Sequence, residues 1–394
     1  MSRLQKLIQD LCPDGVEYKS LGELGSFYGG LTGKKKSDFE IGNAKLITYM
    51  NVFSNIALDI DVNDRVKIEE NEKQNTIKYG DILFTASSET PDECGMSSVL
   101  TEKTDEKLYL NSFCFGFRLH DSSLLLPNFS KHLFRSAKIR KQIIRTANGV
   151  TRFNISRESM KKVLIPLPPL PIQQEIVRIL DSFTDLIKEL NAELDARRKQ
   201  YESYRDLLLK FDDNVKWVRL GDIAEIGTGS SNTNEELENG KYPFFVRSQE
   251  VRYKNDYEFD ETAIITSGDG VGVGKVFHYV EGKYALHQRA YRICIIDKRV
   301  LPKYFFYYMK NAFLSYIKRN AVYASVTSVR KHMLENFPVP VPSLEEQQHI
   351  VDILDRFDTL INDPNIGIPA EIELRRKQYE YYRDKLLDFK EVAS

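Results

Sequence analysis

The sequence predicts an α+β protein in which two globular domains are separated by two long helices. The helices are expected to pair as an antiparallel coiled coil, within a pseudo-two-fold internal repeat. Three observations predict this fold. The chain has 394 residues, enough for at least two domains. Two of its segments are duplicated further along the chain. The duplicated segments carry apolar residues at the alternating spacing of four and three that is typical of coiled coils.

The duplication is strong enough to define two copies of one unit. Residues 172–186 and 346–360 are identical at nine of 15 positions, with an offset of 174. Residues 196–211 and 374–389 are identical at 12 of 16 positions, with an offset of 178. The two offsets differ by four residues, so the second copy has a longer connection between its repeated segments.

The first copy predicts one continuous helix of about 40 residues, or roughly 60 Å. Its apolar stripe includes Ile172, Ile176, Ile179, Phe183 and Leu186. The second copy has the same stripe, but residues 362–369 interrupt it with two prolines and a glycine, which break a helix.

Each of these helices alone would leave its apolar stripe in water, whereas two copies in one chain can cover each other. An antiparallel pair is favoured because a globular region must fold back between the copies. The alternative is that each helix packs only on its own domain.

Proline-rich runs at residues 165–171 and 337–342 precede the two helical copies and mark the domain borders. They favour an extended polyproline conformation and are predicted to act as semi-rigid spacers. The resulting organisation is a first domain with a short N-terminal helix, a hinge with the first long helix, a second domain, and a hinge with the second long helix. The corresponding ranges are 1–165, 166–212, 213–338 and 339–394.

Several classes of protein are disfavoured by composition. The chain has no apolar run long enough for a spanning helix and no secretory signal at its N-terminus, so we expect a cytoplasmic protein without membrane contact. The 4 cysteines are scattered and predict reduced thiols. The net charge of −1 excludes a uniformly basic surface but allows a local basic face.

Motifs for catalysis are largely missing. Residues 268–275 resemble a phosphate-binding loop, but Asp269 occupies a required glycine position and Val276 replaces the metal-binding hydroxyl residue. A glycine-rich hairpin that could approach DNA is the better interpretation. The sequence contains no HExxH, zinc cluster, GxSxG or amino-methyltransferase tetrapeptide. A nuclease core stays an open alternative, because its pattern is short and frequent by chance.

Charge separates the helices from the domains. Residues 171–211 contain 7 basic and 8 acidic residues, and residues 343–390 contain 7 and 11, so the domains are the more basic part of the chain. In the first domain, basic residues recur at helical spacing and predict a basic helix face suited to phosphates; the alternative is that they are simply solvated. These residues are Lys131, Arg135, Lys138, Lys141 and Arg145.

Two divergent domains alternating with two near-identical helices, each ending RRKQYExYRDxLL, resemble the specificity subunit of a type I restriction–modification system. The stretch IELRRKQYEYYRDKLL, together with NAEL at residues 191–194, is most similar to the class IC branch. This resemblance implies two target-recognition domains, held apart by an antiparallel pair of conserved helices. Each domain would read one half of a bipartite target in double-stranded DNA, and the helices would set the spacer.

The resemblance also implies partners and cofactors. Two methyltransferase subunits would dock on the helices, and restriction subunits would join outside them. The complex would be a restriction endonuclease and an adenine-N6 methyltransferase, while this chain would catalyse nothing by itself. No cofactor is expected in this chain, because S-adenosylmethionine, ATP and Mg²⁺ would be used by the partner subunits; no metal ligands are expected either.

Candidate DNA-binding residues are chosen because Arg suits guanine, Asn and Gln suit adenine, and Lys and Arg suit phosphates. The alternative for each is a helix cap or a turn. In the first domain they are Lys34, Lys35, Lys36, Tyr49, Asn51, Lys138, Lys141, Arg145, Thr151, Arg152 and Asn154. In the second domain they are Arg247, Ser248, Gln249, Ser267, Gly268, Asp269, Lys275 and Arg330.

The C-terminal ends of both helical copies are candidates for docking the methyltransferase, with salt bridges along the helix pair as the alternative. The residues are Arg197, Arg198, Tyr201, Tyr204 and Arg205, and then Arg375, Arg376, Tyr379, Tyr382 and Arg383. Two other functions remain as rivals for the whole chain. One is a free-standing tandem-domain DNA-binding regulator, and the other is a coiled-coil scaffold without a nucleic-acid role.

Overall fold

The computed structural model describes residues 2–212, 214–320 and 328–392. The chain forms two compact units, each containing one globular domain and segments of both helical copies. Unit 1 comprises Met1–Glu189 and Ile372–Ser394, and unit 2 comprises Leu190–Glu371.

The globular part of unit 1 contains short strands and short helices. Its elements are α1 (Arg3–Leu11), β1 (Tyr18–Ser20), α2 (Leu21–Leu24), β2 (Gly25–Gly29), β3 (Ala44–Ile47), α3 (Tyr49–Ser54), β4 (Arg65–Val66), β5 (Thr76–Ile77), β6 (Ile82–Thr85), β7 (Ser87–Ser88), β8 (Ser97–Val99), β9 (Leu108–Leu110), β10 (Cys114–Leu119), α4 (Pro127–Leu133), α5 (Ala137–Ile144), β11 (Ala147–Asn148), β12 (Phe153–Ile155), α6 (Arg157–Met160) and β13 (Leu164–Pro166).

The strands of unit 1 form four small sheets. Their orders are β2-β10-β6-β8, β4-β3-β9-β5, β11-β12-β7 and β1-β13. The helix α7 (Leu170–Leu208) follows, and its 39 residues match the length expected from the sequence.

The globular part of unit 2 has a larger, continuous sheet. Its elements are β14 (Lys216–Arg219), α8 (Leu220–Ile223), β15 (Ala224–Thr228), β16 (Tyr242–Phe245), β17 (Arg252–Lys254), β18 (Phe259–Ser267), β19 (Phe277–Leu286), β20 (Ala290–Ile295), α9 (Pro302–Asn320), α10 (Lys331–Glu335) and β21 (Pro338–Val341). Six strands form the sheet in the order β15-β20-β18-β19-β16-β17, while β14 pairs with β21. The last helices are α11 (Leu344–Asn362) and α12 (Ile368–Leu386).

The predicted break in the second helical copy is confirmed between α11 and α12. Gly367 immediately precedes α12 and lies in a crowded place, because a Cβ there would lie 2.6 Å from the carbonyl oxygen of Thr359. A residue with a side chain would force the backbone apart at this turn.

Pairing of the helical copies is confirmed within each unit. In unit 1, Phe183 of α7 stacks on Tyr382 of α12, with ring centroids 5.3 Å apart. In unit 2, Tyr204 of α7 packs on Phe357 of α11 at 5.6 Å. The alternative also holds in part, because Ile172 and Ile176 are fully buried in the hydrophobic core of the first globular domain.

The proline-rich borders are extended as predicted, but parts of both form paired β-strands, so the prediction that they act as semi-rigid polyproline spacers was wrong. Residues 164–166 pair with β1, and Pro338–Val341 pairs with β14. Leu220 N–H donates to Phe337 O. In this antiparallel register Pro338 and Pro340 therefore occupy positions whose backbone nitrogen points away from β14, so the lack of an N–H in proline removes no hydrogen bond from this pair of strands. Each border is thereby fixed to its own domain.

The prediction of one basic helix face in the first domain was also wrong. The segment forms two helices, α4 and α5, and Arg135 lies between them. Its guanidinium is largely buried and donates to the carbonyls of Ser97, Val52 and Phe53, at 2.7, 3.1 and 2.8 Å. Val52 and Phe53 lie in the last turn of α3 and Ser97 lies in β8, so Arg135 joins the end of this helix to a neighbouring strand.

None of the helices within residues 2–212, 214–320 and 328–392 combines the length and the apolar character that a membrane-spanning helix needs.

Candidate nucleic-acid interface

An open cavity of about 410 Å³ lies on unit 1, where three loops and α3 meet. Thr48 caps α3 by accepting a hydrogen bond from the N–H of Asn51, which places Tyr49 in the first turn. The residues that line the cavity are Tyr49, Met50, Phe53, Ser87, Ser88, Glu89, Glu93, Phe113 and Arg152.

Hydrogen bonds to Ser87 bring two of the predicted DNA-binding residues together in this cavity. The Tyr49 hydroxyl donates to the Ser87 carbonyl at 2.9 Å. The Arg152 guanidinium donates to the Ser87 hydroxyl through Nε at 3.2 Å and Nη2 at 3.1 Å. Burial raises the pKa of Tyr49, so its hydroxyl keeps the proton that it donates.

Apolar side chains surround this polar floor. Phe113 and Met50 are 57% and 59% exposed, although both are large hydrophobic residues. The carboxylates of Glu89 and Glu93 also line the cavity, which disfavours close approach of phosphates. The arrangement therefore suits contact with planar, polar groups that have apolar edges, such as nucleic-acid bases.

Unit 2 carries a different cluster, in which two arginines share one carboxylate. Arg247 Nη1 lies 2.6 Å from one oxygen of Asp269, and Arg289 Nη1 lies 3.3 Å from the other. The hydrogen bond from Arg247 lowers the pKa of Asp269, so the carboxylate is ionised at neutral pH. The side chains of Arg247 and Arg289 remain 42% and 60% exposed, respectively. We call Arg247, Asp269 and Arg289 the arginine cluster.

A glycine-rich turn presents Asp269, as predicted for the hairpin. Strands β18 and β19 pair antiparallel on either side of the turn. Gly270 and Gly274 have φ angles of +82° and +67°, which side-chain-bearing residues rarely adopt. The Ser267 hydroxyl donates to the carbonyl of Asp269 at 2.7 Å and closes the turn. Predicted residues 267–269 therefore lie together with Arg247.

Several other predicted DNA-binding residues are engaged within the protein. Lys34 forms an ion pair with Glu72 and is only 9% exposed at its side chain. Asn51 is buried, and its amide donates to Asp59 O at 2.8 Å. Lys138 contacts Asp388 at 2.9 Å. DNA contact by Lys34 and Asn51 would require rearrangement, whereas the Lys138 side chain is 48% exposed in its ion pair.

The remaining predicted residues lie on the surface but outside the two clusters, and their roles stay predictions. Asn154 donates to Arg152 O at 3.3 Å, and Ser248 donates to Glu250 O at 3.1 Å. Arg330 occupies the cap position of α10. The others are exposed: Lys35, Lys36, Lys141, Arg145, Thr151, Gln249 and Lys275.

Sequence reasoning missed Ser87, Phe113 and Arg289. A usable signal was present, because the segments DILFTASSE (residues 81–89) and AIITSGDGV (residues 263–271) align without a gap and place Ser87 opposite Asp269. Phe113 and Arg289 both follow a strand by a few residues, but only the strand register relates them.

The predicted docking residues on the helices are mixed in character. Tyr201 and Tyr379 are buried, at 8% and 7% exposure, so they pack within their units. Tyr382 packs on Phe183. Salt bridges along the helices, the alternative considered for these residues, are present: Arg197 with Glu193, Arg198 with Asp195, Arg205 with Asp206, Arg376 with Glu373, and Arg383 with Asp384. Arg375 donates to Gln378 at 2.9 Å.

An open groove of about 510 Å³ lies between α7 and α11 in unit 2. Tyr204 and Leu360 line it and are 42% and 37% exposed, beside the cations Arg197 and Arg356. A surface of this kind suits a protein partner better than a phosphate backbone, because its centre is apolar.

Comparison with known proteins places these features in a family. The family model described as the type I restriction modification DNA specificity domain matches residues 13–196 and 212–374. The specificity subunit of the type I restriction enzymes EcoR124I/EcoR124II of Escherichia coli is 40% identical over 263 residues. That match covers 60% of this chain and 65% of the relative, just under two thirds of its length.

Solved structures share the fold at lower sequence identity. A chain from a study of assembly and conformational transition in the type I restriction–modification system matches with a TM-score of 0.61 and 17% identity, covering 95% of this chain and 98% of that one. The S subunit from M. genitalium matches with a TM-score of 0.56 and 16% identity, covering 95% and 96%. The family model matches twice, once on each copy of the duplicated unit, and the two matches together cover most of the chain. The chain therefore belongs to the type I restriction–modification DNA specificity family.

Proposed function

We propose that this chain is the DNA sequence-specificity subunit of a type I restriction–modification complex, in which each globular domain reads one half of a bipartite target. The observation that carries the proposal is that each unit presents its own exposed, arginine-containing cluster, and that the two clusters differ in chemistry. Two unlike readers in one chain suit a target with two unlike halves.

The mechanism follows from general rules of DNA recognition. Lys and Arg contacts to phosphates fix the position of a protein along the duplex without specifying sequence. Side chains that reach base edges in the major groove specify the sequence, because each base pair has a unique pattern of donors and acceptors there. The chain would supply only this reading. S-adenosylmethionine, ATP and Mg²⁺ would be held by partner subunits.

The partners in this proposal are two methyltransferase subunits and the restriction subunits. The exposed faces of α7, α11 and α12 would dock the methyltransferases, and the groove beside Tyr204 and Leu360 is the candidate contact in unit 2. The helical copies would also set the number of unread base pairs between the half-sites.

The experiment is co-expression with the cognate methyltransferase, followed by genome-wide mapping of N6-methyladenine. We expect one bipartite motif with two specified halves and an unread spacer. A single continuous motif, or no methylation by an assembled complex, would contradict the proposal. Binding measurements at several salt concentrations separate the rivals: a regulator would bind tightly without the methyltransferase, and a scaffold would show no salt-dependent DNA binding.

A further inference from the structure

The two globular domains share one backbone framework around their clusters. The N–H of Asn111 donates to Ile47 O in unit 1, and the N–H of His287 donates to Phe245 O in unit 2, both at 2.9 Å. In each case the donor follows a strand that runs parallel to the strand of the acceptor. Residue Ile47 therefore corresponds to Phe245.

A second pair of hydrogen bonds fixes the other side of the framework. The N–H of Ile155 donates to Ala86 O, and the N–H of Val329 donates to Gly268 O, both at 2.8 Å. The adjoining pairs agree, because Asn154 is opposite Ser87 just as Ser328 is opposite Asp269.

A third match completes the correspondence. The N–H of Ala86 donates to Phe113 O, and the N–H of Gly268 donates to Arg289 O, both at 2.9 Å. The three matches give three pairs of equivalent positions, which we call the reading positions. Tyr49 and Arg247 form the first pair, because each lies two residues after the acceptor of the first match. Ser87 and Asp269 form the second pair, each one residue after the acceptor of the second match, and Phe113 and Arg289 are themselves the acceptors of the third match.

The framework is maintained while the side chains on it are replaced. Gly95 and Gly274 follow the equivalent loops with φ angles of +66° and +67°. A Cβ would meet Ile143 at 2.6 Å in the first case and Ile317 at 2.9 Å in the second. By contrast, the side chains at the reading positions differ. Unit 1 has a tyrosine, a serine and a phenylalanine where unit 2 has an arginine, an aspartate and an arginine.

The arginine cluster has the donor geometry for guanine. Arg247 and Arg289 each give Asp269 one Nη1 contact, and within the described residues no other acceptor is bonded to either guanidinium. Each planar guanidinium carries five N–H donors, so a two-donor edge remains available to a ligand. Such an edge matches the O6 and N7 acceptors of guanine in the major groove.

We propose, on the basis of the proposed function, that the reading positions determine the sequence of each half-site, and that Arg247 and Arg289 read guanines in the half-site of unit 2. Asp269 is a positioning residue that holds both guanidinium groups. In unit 1 the counterparts are the half-buried Tyr49 and the exposed Phe113, whose rings line the cavity beside Arg152 and offer thymine methyl groups an apolar contact.

The test compares Arg289→Lys and Arg289→Ala in the complex with the cognate methyltransferase, with N6-methyladenine mapping as the measurement. Both variants should lose the requirement for one G·C pair in one half-site, with discrimination at that position falling about 5- to 150-fold. The other half-site and the spacer should not change. Lysine keeps the charge but lacks the planar pair of donors, so it should not restore the motif.

Arg299→Lys and Arg299→Ala are the matched controls. Arg299 is also an exposed arginine of unit 2, and it pairs with Asp297 at 2.6 Å, but it lies outside the reading positions. Its variants should retain the wild-type motif. Thermal unfolding of each variant checks that the complex remains folded.

The outcomes separate this inference from the proposed function. A bipartite wild-type motif that survives unchanged in Arg289→Ala overturns the inference and leaves the proposed function intact. Uniform loss of methylation at all sites in a folded Arg289→Ala complex, with recovery in Arg289→Lys, identifies a phosphate contact and also overturns it. A wild-type complex without a bipartite motif overturns the proposed function itself.

Discussion

At the scale of single residues, a buried histidine connects the first domain to both helical copies in unit 1. His132 is fully buried, with Nε2 at 2.7 Å from Asp181 and Nδ1 at 2.9 Å from the Tyr379 hydroxyl. The Asp181 carboxylate can only accept, so the proton lies on Nε2, and Tyr379 donates to Nδ1. Lys131 contacts the same carboxylate at 2.9 Å and balances its charge.

This network predicts a loss of stability in mild acid. Burial lowers the pKa of His132 and outweighs the hydrogen bond to Asp181, which raises it. The unfolded histidine has a pKa of about 6.5, so the unfolded chain binds more protons below that pH. The free energy of unfolding is therefore retained above about pH 6.5 and falls below it, by up to about 1.4 kcal/mol per pH unit until the folded pKa is reached.

Urea unfolding between pH 7.5 and 5.5 measures this dependence. The variant His132→Gln should have a shallower loss than wild type, because it removes the titrating group. The control His349→Gln replaces an exposed histidine and should follow wild type. Identical pH dependence in His132→Gln and wild type would rule out the assigned role.

Only part of the candidate site could be predicted from single residues. Arg152 was predicted because arginine suits guanine, Tyr49 was predicted beside Asn51, and both line the cavity of unit 1. Asn51 has an equally suitable type, but its amide holds the Asp59 backbone. Residue type gives the chemistry of a side chain, whereas burial and local hydrogen bonds determine whether that chemistry is available.

At the scale of elements, the two copies begin in the same way, with a buried glutamine in the first turn. Gln173 accepts from Leu126 N and donates to the carbonyls of Leu124 and Pro168, at 2.8–2.9 Å. Gln347 makes the same three kinds of contact with Leu301, Arg299 and Pro342. Each glutamine joins a helix start to a loop of its own domain.

Substitution of Gln173 should therefore be costly. Gln173→Leu has a similar size but leaves the buried carbonyl of Pro168 and two part-buried backbone groups without partners, and one unpaired buried group costs about 1–3 kcal/mol. We expect the free energy of unfolding to fall by about 2–4 kcal/mol. Gln174→Leu is the control, because the neighbouring glutamine is exposed and should change stability by less than about 0.5 kcal/mol. Equal effects of the two substitutions in urea unfolding would contradict the assignment.

Equivalent tyrosines in the two copies should respond in opposite ways to the same substitution. The Tyr379 hydroxyl is bonded to His132, whereas the buried Tyr201 hydroxyl has no hydrogen-bond partner among the described residues. Tyr379→Phe should cost about 1–3 kcal/mol, because it leaves Nδ1 of His132 unpaired. Tyr201→Phe removes an unpaired buried hydroxyl and should be neutral or stabilising. Differential scanning calorimetry of both variants compares them, and a larger loss for Tyr201→Phe would contradict the network.

The helical elements could be predicted more completely than the strands. Their apolar spacing and the break near Gly367 are local signals, and both were read correctly from the sequence. The strands at the proline-rich borders form only by pairing with β1 and β14, more than a hundred residues away along the chain. Local sequence contains no sign of that partner, so an extended run was predicted without its sheet.

At the scale of the whole molecule, the duplication predicted the two-domain organisation, but it did not reveal the shared framework of the domains. The three equivalent pairs at the reading positions have offsets of 198, 182 and 176 residues, because the loops between strands differ in length. Identity is concentrated in the helices, which must pair with each other. The domains retain only their backbone register, which sequence comparison within one chain detects poorly.

The proposed spacing role of the helices leads to a prediction for the complete complex. Inserting four helix-forming residues after Leu194 lengthens α7 by about 6 Å and adds little more than one full turn, so the apolar stripe continues nearly in phase. Since base pairs rise 3.4 Å, the preferred spacer should widen by about one to two base pairs, with both half-sites unchanged. N6-methyladenine mapping with the methyltransferase measures both quantities. The same insertion after Glu238, in an exposed loop of unit 2, should leave the spacer as it is in wild type. A changed half-site, or an unchanged spacer in a folded complex that still methylates, would mean that the helix does not set the distance.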